Sequence, residues 1–109
     1  KDLKPSTRQR FVALEFDFPD AAREAEIVAH ESGVDRAAAA SLVRLAGRVR
    51  SLRDQGLAEA PSTRLLVSTA RLIAGGIPAA DACRAGLVGP LTDDPDLLAA
   101  ISDLIAATW

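Results

Sequence analysis

The segment from Asp35 to Gly56 constrains the fold more than any other part of the sequence. Laid out at 100° per residue from Leu42, residues Leu45, Ala46, Val49 and Leu52 all fall within about 80° of it, the apolar stripe of a helix with one buried face. Asp35 offers an N-cap and Gly56 a stop, so the spacing predicts a helix running from Asp35 to about Gln55. The rest of the chain is punctuated in the same way. Asp20 opens a helix through Ile27 and Val28 to Ser32, closed by Gly33. Pro61 and Ser62 open a third, which continues through Leu72 and Ile73 to Gly75 and Gly76. Pro78 starts a short fourth ending near Gly86, and the Asp94-Pro95 pair caps a last helix carrying Leu97, Leu98, Ile101, Leu104 and Ile105. A hydrophobic content of 49% with only 4% aromatics suits helices packed through Ala and Leu better than a β-sandwich. The expected fold class is mainly α, a bundle of about five helices, and 109 residues suffice for one modest core.

One stretch breaks the helical pattern. Val12, Leu14, Phe16 and Phe18 alternate with Ala13, Glu15 and Asp17, the period of a strand. A lone strand cannot satisfy its own backbone hydrogen bonds, so its partner strands are expected in a missing part of a larger protein or in another chain. The sequence opens on Lys1 and contains no methionine, which also predicts a piece of something longer.

Several function classes are disfavoured. A net charge of -2 and a pI near 5.3 leave no electrostatic footprint for a nucleic-acid backbone. Arg44, Arg48, Arg50 and Arg53 scatter around the second helix at roughly 200°, 240°, 80° and 20°, which reads as a solvated helix with snorkelling arginines and not as a binding face. Cys83 is the single cysteine and cannot form an internal disulfide. No apolar run is long enough for a membrane helix and no cleavable signal is visible, so a reducing, cytoplasmic setting is expected. His30 is the only histidine. It sits in the last turn of its helix, where partial positive charge is favoured, and capping is the better reading. Gly75-Gly76 ends a helix where a phosphate loop must begin one. Asp93, Asp94 and Asp96 suit a helix N-terminus better than a metal.

Two places could carry chemistry. Arg64 falls in the first turn of the third helix, against the positive end of the dipole, a mildly unfavourable position unless an anion is bound there. Free backbone N–H groups, Ser62 and Thr63 at the same end would suit a phosphate. Arg64 and Arg71 lie about 20° apart on the wheel, opposite Leu65, Leu66, Leu72 and Ile73, and so are free to face outward. On local physics alone, an ordinary exposed arginine is the better reading of Arg64, because one mildly unfavourable dipole contact is easily tolerated. Arg8 and Arg10 precede the strand two residues apart and would point the same way in an extended segment. Arginine suits phosphoryl transfer because its planar fork stays charged and bridges two oxygens, but without further context a basic frayed end is the better reading of Arg8 and Arg10.

The opening Leu3-Lys4-Pro5-Ser6-Thr7-Arg8-Gln9-Arg10-Phe11-Val12-Ala13-Leu14, the segment Pro61-Ser62-Thr63-Arg64-Leu65-Leu66-Val67 and the late Pro90-Leu91-Thr92-Asp93-Asp94 together resemble the C-terminal part of the CbbQ/NirQ/NorQ branch of the MoxR-type AAA+ ATPases. The resemblance implies that residues 1–18 end an α/β AAA+ core, with the stray strand as its last, and that residues 19–109 form the helical lid. It implies that Arg10, with Arg8 as the alternative, is the arginine finger that reaches the nucleotide of an adjacent subunit. It maps Arg64 to the sensor 2 arginine, which touches the γ-phosphate of ATP bound in its own subunit. By the same resemblance the parent uses ATP and Mg2+ in a ring, often a hexamer, and works with a von Willebrand factor A domain partner to remodel or activate a client enzyme, Rubisco or a nitric oxide reductase-type metalloenzyme. No Walker A loop, acidic Walker B strand or sensor 1 Asn is present here, so neither nucleotide nor metal is expected to be gripped by these residues alone. A non-enzymatic helical interaction domain is the alternative, and a helical DNA-binding module a third possibility that the acidic pI disfavours.

Overall fold

The computed structural model describes residues 18–52, 60–88 and 90–109. The predicted strand up to Asp17, and with it Arg8 and Arg10, lies outside the described residues, as does Arg53. Among the described residues the fold is helical throughout, without a strand, as the mainly α expectation requires.

The described residues form five helices in order: α1 (Ala21–Ser32), α2 (Arg36–Arg50), α3 (Thr63–Ala74), α4 (Ala79–Cys83), which runs on as a π turn over Arg84–Val88, and α5 (Pro95–Thr108). Four begin at side-chain caps within single-turn reach. The Asp20 carboxylate accepts from the Arg23 amide at 2.9 Å, Asp35 from Ala38 at 2.7 Å, and the Ser62 hydroxyl from Leu65 at 3.1 Å. Asp94 accepts from Asp96 and Leu97 at 2.8 and 3.3 Å. Gly33 ends α1 at φ 89°, a left-handed conformation that costs glycine nothing, and its amide donates to the Ala29 carbonyl at 2.9 Å.

Two helix ends differ from the sequence expectation. α2 stops at Arg50, short of the expected end near Gln55, which with Gly56 lies outside the described residues. The Ser51 amide is shared between the carbonyls of Gly47 and Val49, its hydroxyl donates to Arg48 at 2.6 Å, and the chain tightens into a 3-10 turn over 51–52. The fourth helix does not end near Gly86 but continues through it to Val88. Gly86 serves a close approach instead of a stop, because a Cβ there would lie 2.7 Å from the Thr69 hydroxyl of α3.

The core follows the stripe read from α2. Leu42, Leu45, Ala46 and Val49 are fully buried together with Val28 of α1, Leu66 and Ala70 of α3, Leu87 of the π turn, and Ile101 and Ile105 of α5. Leu52 is half-buried against the same cluster. α1 packs on both α2 and α3, the π turn packs on α3, and α5 closes the far side of α2. The start of α3 is therefore held by the two helices that precede it in the chain.

Candidate functional site

α3 brings Arg64 and Arg71 onto one exposed face, as the helical spacing predicted, while Leu66, Val67 and Ala70 turn inward. The two arginines line a cleft of about 370 Å³ between α1 and α3, together with Ile27, Glu31, Thr63, Val67 and Ser68. Arg71 is tied down at the inner end, where it donates to the Glu31 backbone carbonyl at 3.4 Å. The Arg64 side chain makes no hydrogen bond or ion pair to any other described residue. It sits in the first turn of α3, where the amides of Thr63 and Arg64 have no carbonyl one turn back to accept them. The start of α3 thus combines a guanidinium with the positive end of a helix, while the second guanidinium stands two turns along the same cleft beside Glu31.

What fixes that spot is a buried ion pair that sequence reasoning missed. The Arg50 guanidinium donates to both oxygens of Glu24, Nη1 to Oε1 at 2.8 Å and Nη2 to Oε2 at 2.7 Å, in the bidentate fork that arginine and carboxylate form best. Only 1% of the Glu24 side chain and 13% of Arg50 reach solvent, so Arg50 is not the snorkelling surface charge the helical wheel suggested. Its Nε donates to the Pro61 carbonyl at 3.0 Å, and its carbon lies 3.6 Å above the centre of the Phe18 ring. The Thr63 hydroxyl donates to Glu24 Oε2 at 2.8 Å. Every oxygen of the buried carboxylate is therefore used, which burial of a charge demands. α1 supplies the acid, α2 the base, and both grip the two residues that flank Ser62, directly before Arg64. The signals for this pair were faint. Glu24 stands four residues before the buried Val28, on the apolar face of α1, and Arg50 falls at the edge of the α2 stripe.

Arg8 and Arg10 lie outside the described residues, and the remaining candidates within them are structural. His30 is exposed in the last turn of α1, and Asp94 caps α5 with Asp96 in its first turn. Among the described residues no cluster of His, Cys, Asp and Glu could hold a metal. Cys83 is buried, and burial pushes its thiol above the ordinary value of 9.0, against smaller opposing effects of a hydrogen bond to Trp109 and of the Arg84 charge. A thiol held in its neutral form is a poor nucleophile.

Residues 24–108 match the family model described as CbbQ/NirQ/NorQ C-terminal. The chain belongs to the CbbQ/NirQ/NorQ family. All of it aligns with 40% of Protein NorQ from Paracoccus denitrificans (strain Pd 1222) at 55% identity. Over 97 residues it is 57% identical to Protein CbbQ of Hydrogenophilus thermoluteolus, covering 89% of this chain and 36% of that protein. Over 105 residues it is 50% identical to the Denitrification regulatory protein NirQ of Stutzerimonas stutzeri, covering 96% of this chain and 38% of the relative. This CbbQ/NirQ/NorQ chain thus spans about two fifths of the length of these relatives and corresponds to the family's C-terminal part. None of its described helices is long and apolar enough to cross a membrane.

Proposed function

We propose that this chain is the lid portion of a ring-forming ATPase of the MoxR-type AAA+ class, which couples ATP hydrolysis to the remodelling or activation of a client enzyme, Rubisco or a nitric oxide reductase-type metalloenzyme. The observation that carries the reading is Arg64. It is an exposed guanidinium in the first turn of α3, without a side-chain partner among the described residues, backed by a cleft with a second arginine. The group that suits such a site is a polyphosphate end, since the planar fork bridges two oxygens and the helix amides add donors. Arg64 then acts as the sensor 2 residue, drawing the lid toward the γ-phosphate of ATP held by its own subunit. Arg10, with Arg8 as the alternative, reaches the nucleotide of the neighbouring subunit, and hydrolysis releases both contacts. The phosphate loop and the ligands for Mg2+ belong to parts of the whole protein beyond these residues. Membership of the CbbQ/NirQ/NorQ family supports a cytoplasmic assembly, taken here as a hexamer, with a von Willebrand factor A domain partner.

Replacing Arg64 with Ala in the whole protein tests this reading. Steady-state ATP hydrolysis should fall on the order of a hundredfold, the usual order for losing one preorganised donor to developing charge, and unchanged turnover would count against it. The isolated chain should bind ATP only weakly and hydrolyse none, and micromolar affinity by calorimetry is the contrary result.

A further inference from the structure

The sequence brings Thr63 and Arg64 into successive positions, yet their side chains do different things: Thr63 turns in to a buried carboxylate while Arg64 faces out. We propose that Glu24, Arg50 and Thr63 form a positioning device for Arg64, a latch that sets where its guanidinium stands. The inference rests on Arg64 being the phosphate-facing residue, and adds what holds it there.

The geometry supports a latch over simple glue. The first turn of a helix is where the backbone frays most readily, because its amides lack intrahelical partners. Here that turn is secured from three sides. The Ser62 hydroxyl accepts from Leu65, the Pro61 carbonyl accepts from Arg50, and the Thr63 hydroxyl donates to Glu24. Two of these three contacts go to the ion pair. Since Glu24 belongs to α1 and Arg50 to α2, the start of α3 is referenced to both helices at once. The stacking of Arg50 on Phe18 extends the same connection to the residue that leads into α1, so the chain's approach to the lid and the arginine at its rim share one charged group. A residue misplaced by an ångström at such a site loses on the order of a hundredfold in rate, which gives a rigid mount a kinetic purpose.

Thr63→Val tests the latch most gently, because it keeps the side-chain shape and the Glu24–Arg50 fork and removes only the hydroxyl. In the whole protein it should raise the KM for ATP or depress kcat on the order of tenfold. Thr63→Ser, which restores the hydroxyl, should recover most of that loss. The deciding measurement is the double-mutant cycle with Arg64→Ala. A positioning residue acts only through the group it positions, so Thr63→Val should have little further effect once Arg64 is Ala. Equal losses in the two backgrounds, or a Thr63→Val enzyme with normal kinetics beside an impaired Arg64→Ala enzyme, would overturn the latch and leave the assignment of Arg64 standing. An Arg64→Ala enzyme with normal turnover would instead overturn the assignment itself. Should Thr63→Val fail to fold, Arg50→Lys, which keeps the charge and breaks the fork, runs the same cycle.

Discussion

Arg50 and Glu24 meet 26 positions apart through two parallel hydrogen bonds of 2.7 and 2.8 Å, in a site where the carboxylate is almost wholly shielded from water. A buried pair of this kind gains little over a well-packed apolar pair, but breaking it strands a charge. Arg50→Ala or Glu24→Ala should therefore each cost about 3–5 kcal/mol, a large part of the stability of a domain this size. Replacing both at once with apolar residues should recover most of the loss. Urea denaturation of the four proteins checks this, and additive losses in the double variant would show that the two side chains do not act as a pair.

Gly86 lets the π turn pass close over Thr69 of α3. A Cβ at 86 would meet the Thr69 hydroxyl at 2.7 Å and the Leu72 Cδ1 at 3.4 Å, so Gly86→Ala should destabilise by about 1–3 kcal/mol through overpacking. The Thr69 hydroxyl is itself buried without a hydrogen-bond partner among the described residues. Thr69→Ala removes the obstructing atom, and Gly86→Ala should then be better tolerated in that background. Equal penalties in both backgrounds by thermal denaturation would argue against the contact.

The helix caps were legible in the sequence because each is local. Asp20, Asp35, Ser62 and Asp94 reach amides only two or three residues ahead, and the αL turn at Gly33 needs nothing beyond its own backbone. The placement of Arg64 and Arg71 on one exposed face was legible for the same reason, since helical spacing alone decides it. The latch was not. Thr63 reaches Glu24 across 39 positions, and only the packing of α1 against both α2 and α3 brings them together. Arg50 was misread because its place at the margin of the α2 stripe is compatible with either solvent or burial, and the choice depends on a carboxylate in another helix. The π turn was hidden similarly: Gly86 looks like a helix stop until Thr69 is seen beneath it.

Ser62→Ala removes the hydroxyl that accepts from Leu65 at the start of α3, which should cost about 1 kcal/mol of stability. If the fraying this allows also loosens Arg64, the KM for ATP of the whole protein should rise more than the small stability loss explains. Amide hydrogen exchange at Leu65 and Leu66 reports the fraying directly, and protection equal to that of the unaltered protein would contradict it.

Cys83 makes stability depend on pH in the alkaline range. Burial raises the folded thiol above 9.0, so between the unfolded and folded values the native state holds a proton that the unfolded chain has released. The contribution is full below the unfolded value and is lost as pH rises through the folded one. The chain has no tyrosine, and Lys1 and Lys4 are its only lysines, so few other side chains titrate nearby. The denaturation midpoint should decline above about pH 9, and Cys83→Ala should flatten that decline. A slope unaltered by the substitution would place its origin elsewhere.

If Arg64 serves the nucleotide of its own subunit while Arg10 serves that of its neighbour, as proposed, mixing subunits tests the division most directly. Whole-protein Arg64→Ala and Arg10→Ala variants should each be nearly inactive as homogeneous rings. In an equimolar mixed ring, an Arg10→Ala subunit still carries Arg64 and can receive Arg10 from an adjacent Arg64→Ala subunit. Roughly a quarter of the sites are then complete, and ATP hydrolysis should recover to about that fraction. Mixed rings that demonstrably co-assemble but stay inactive, or an Arg64→Ala ring that hydrolyses ATP normally, would contradict the account.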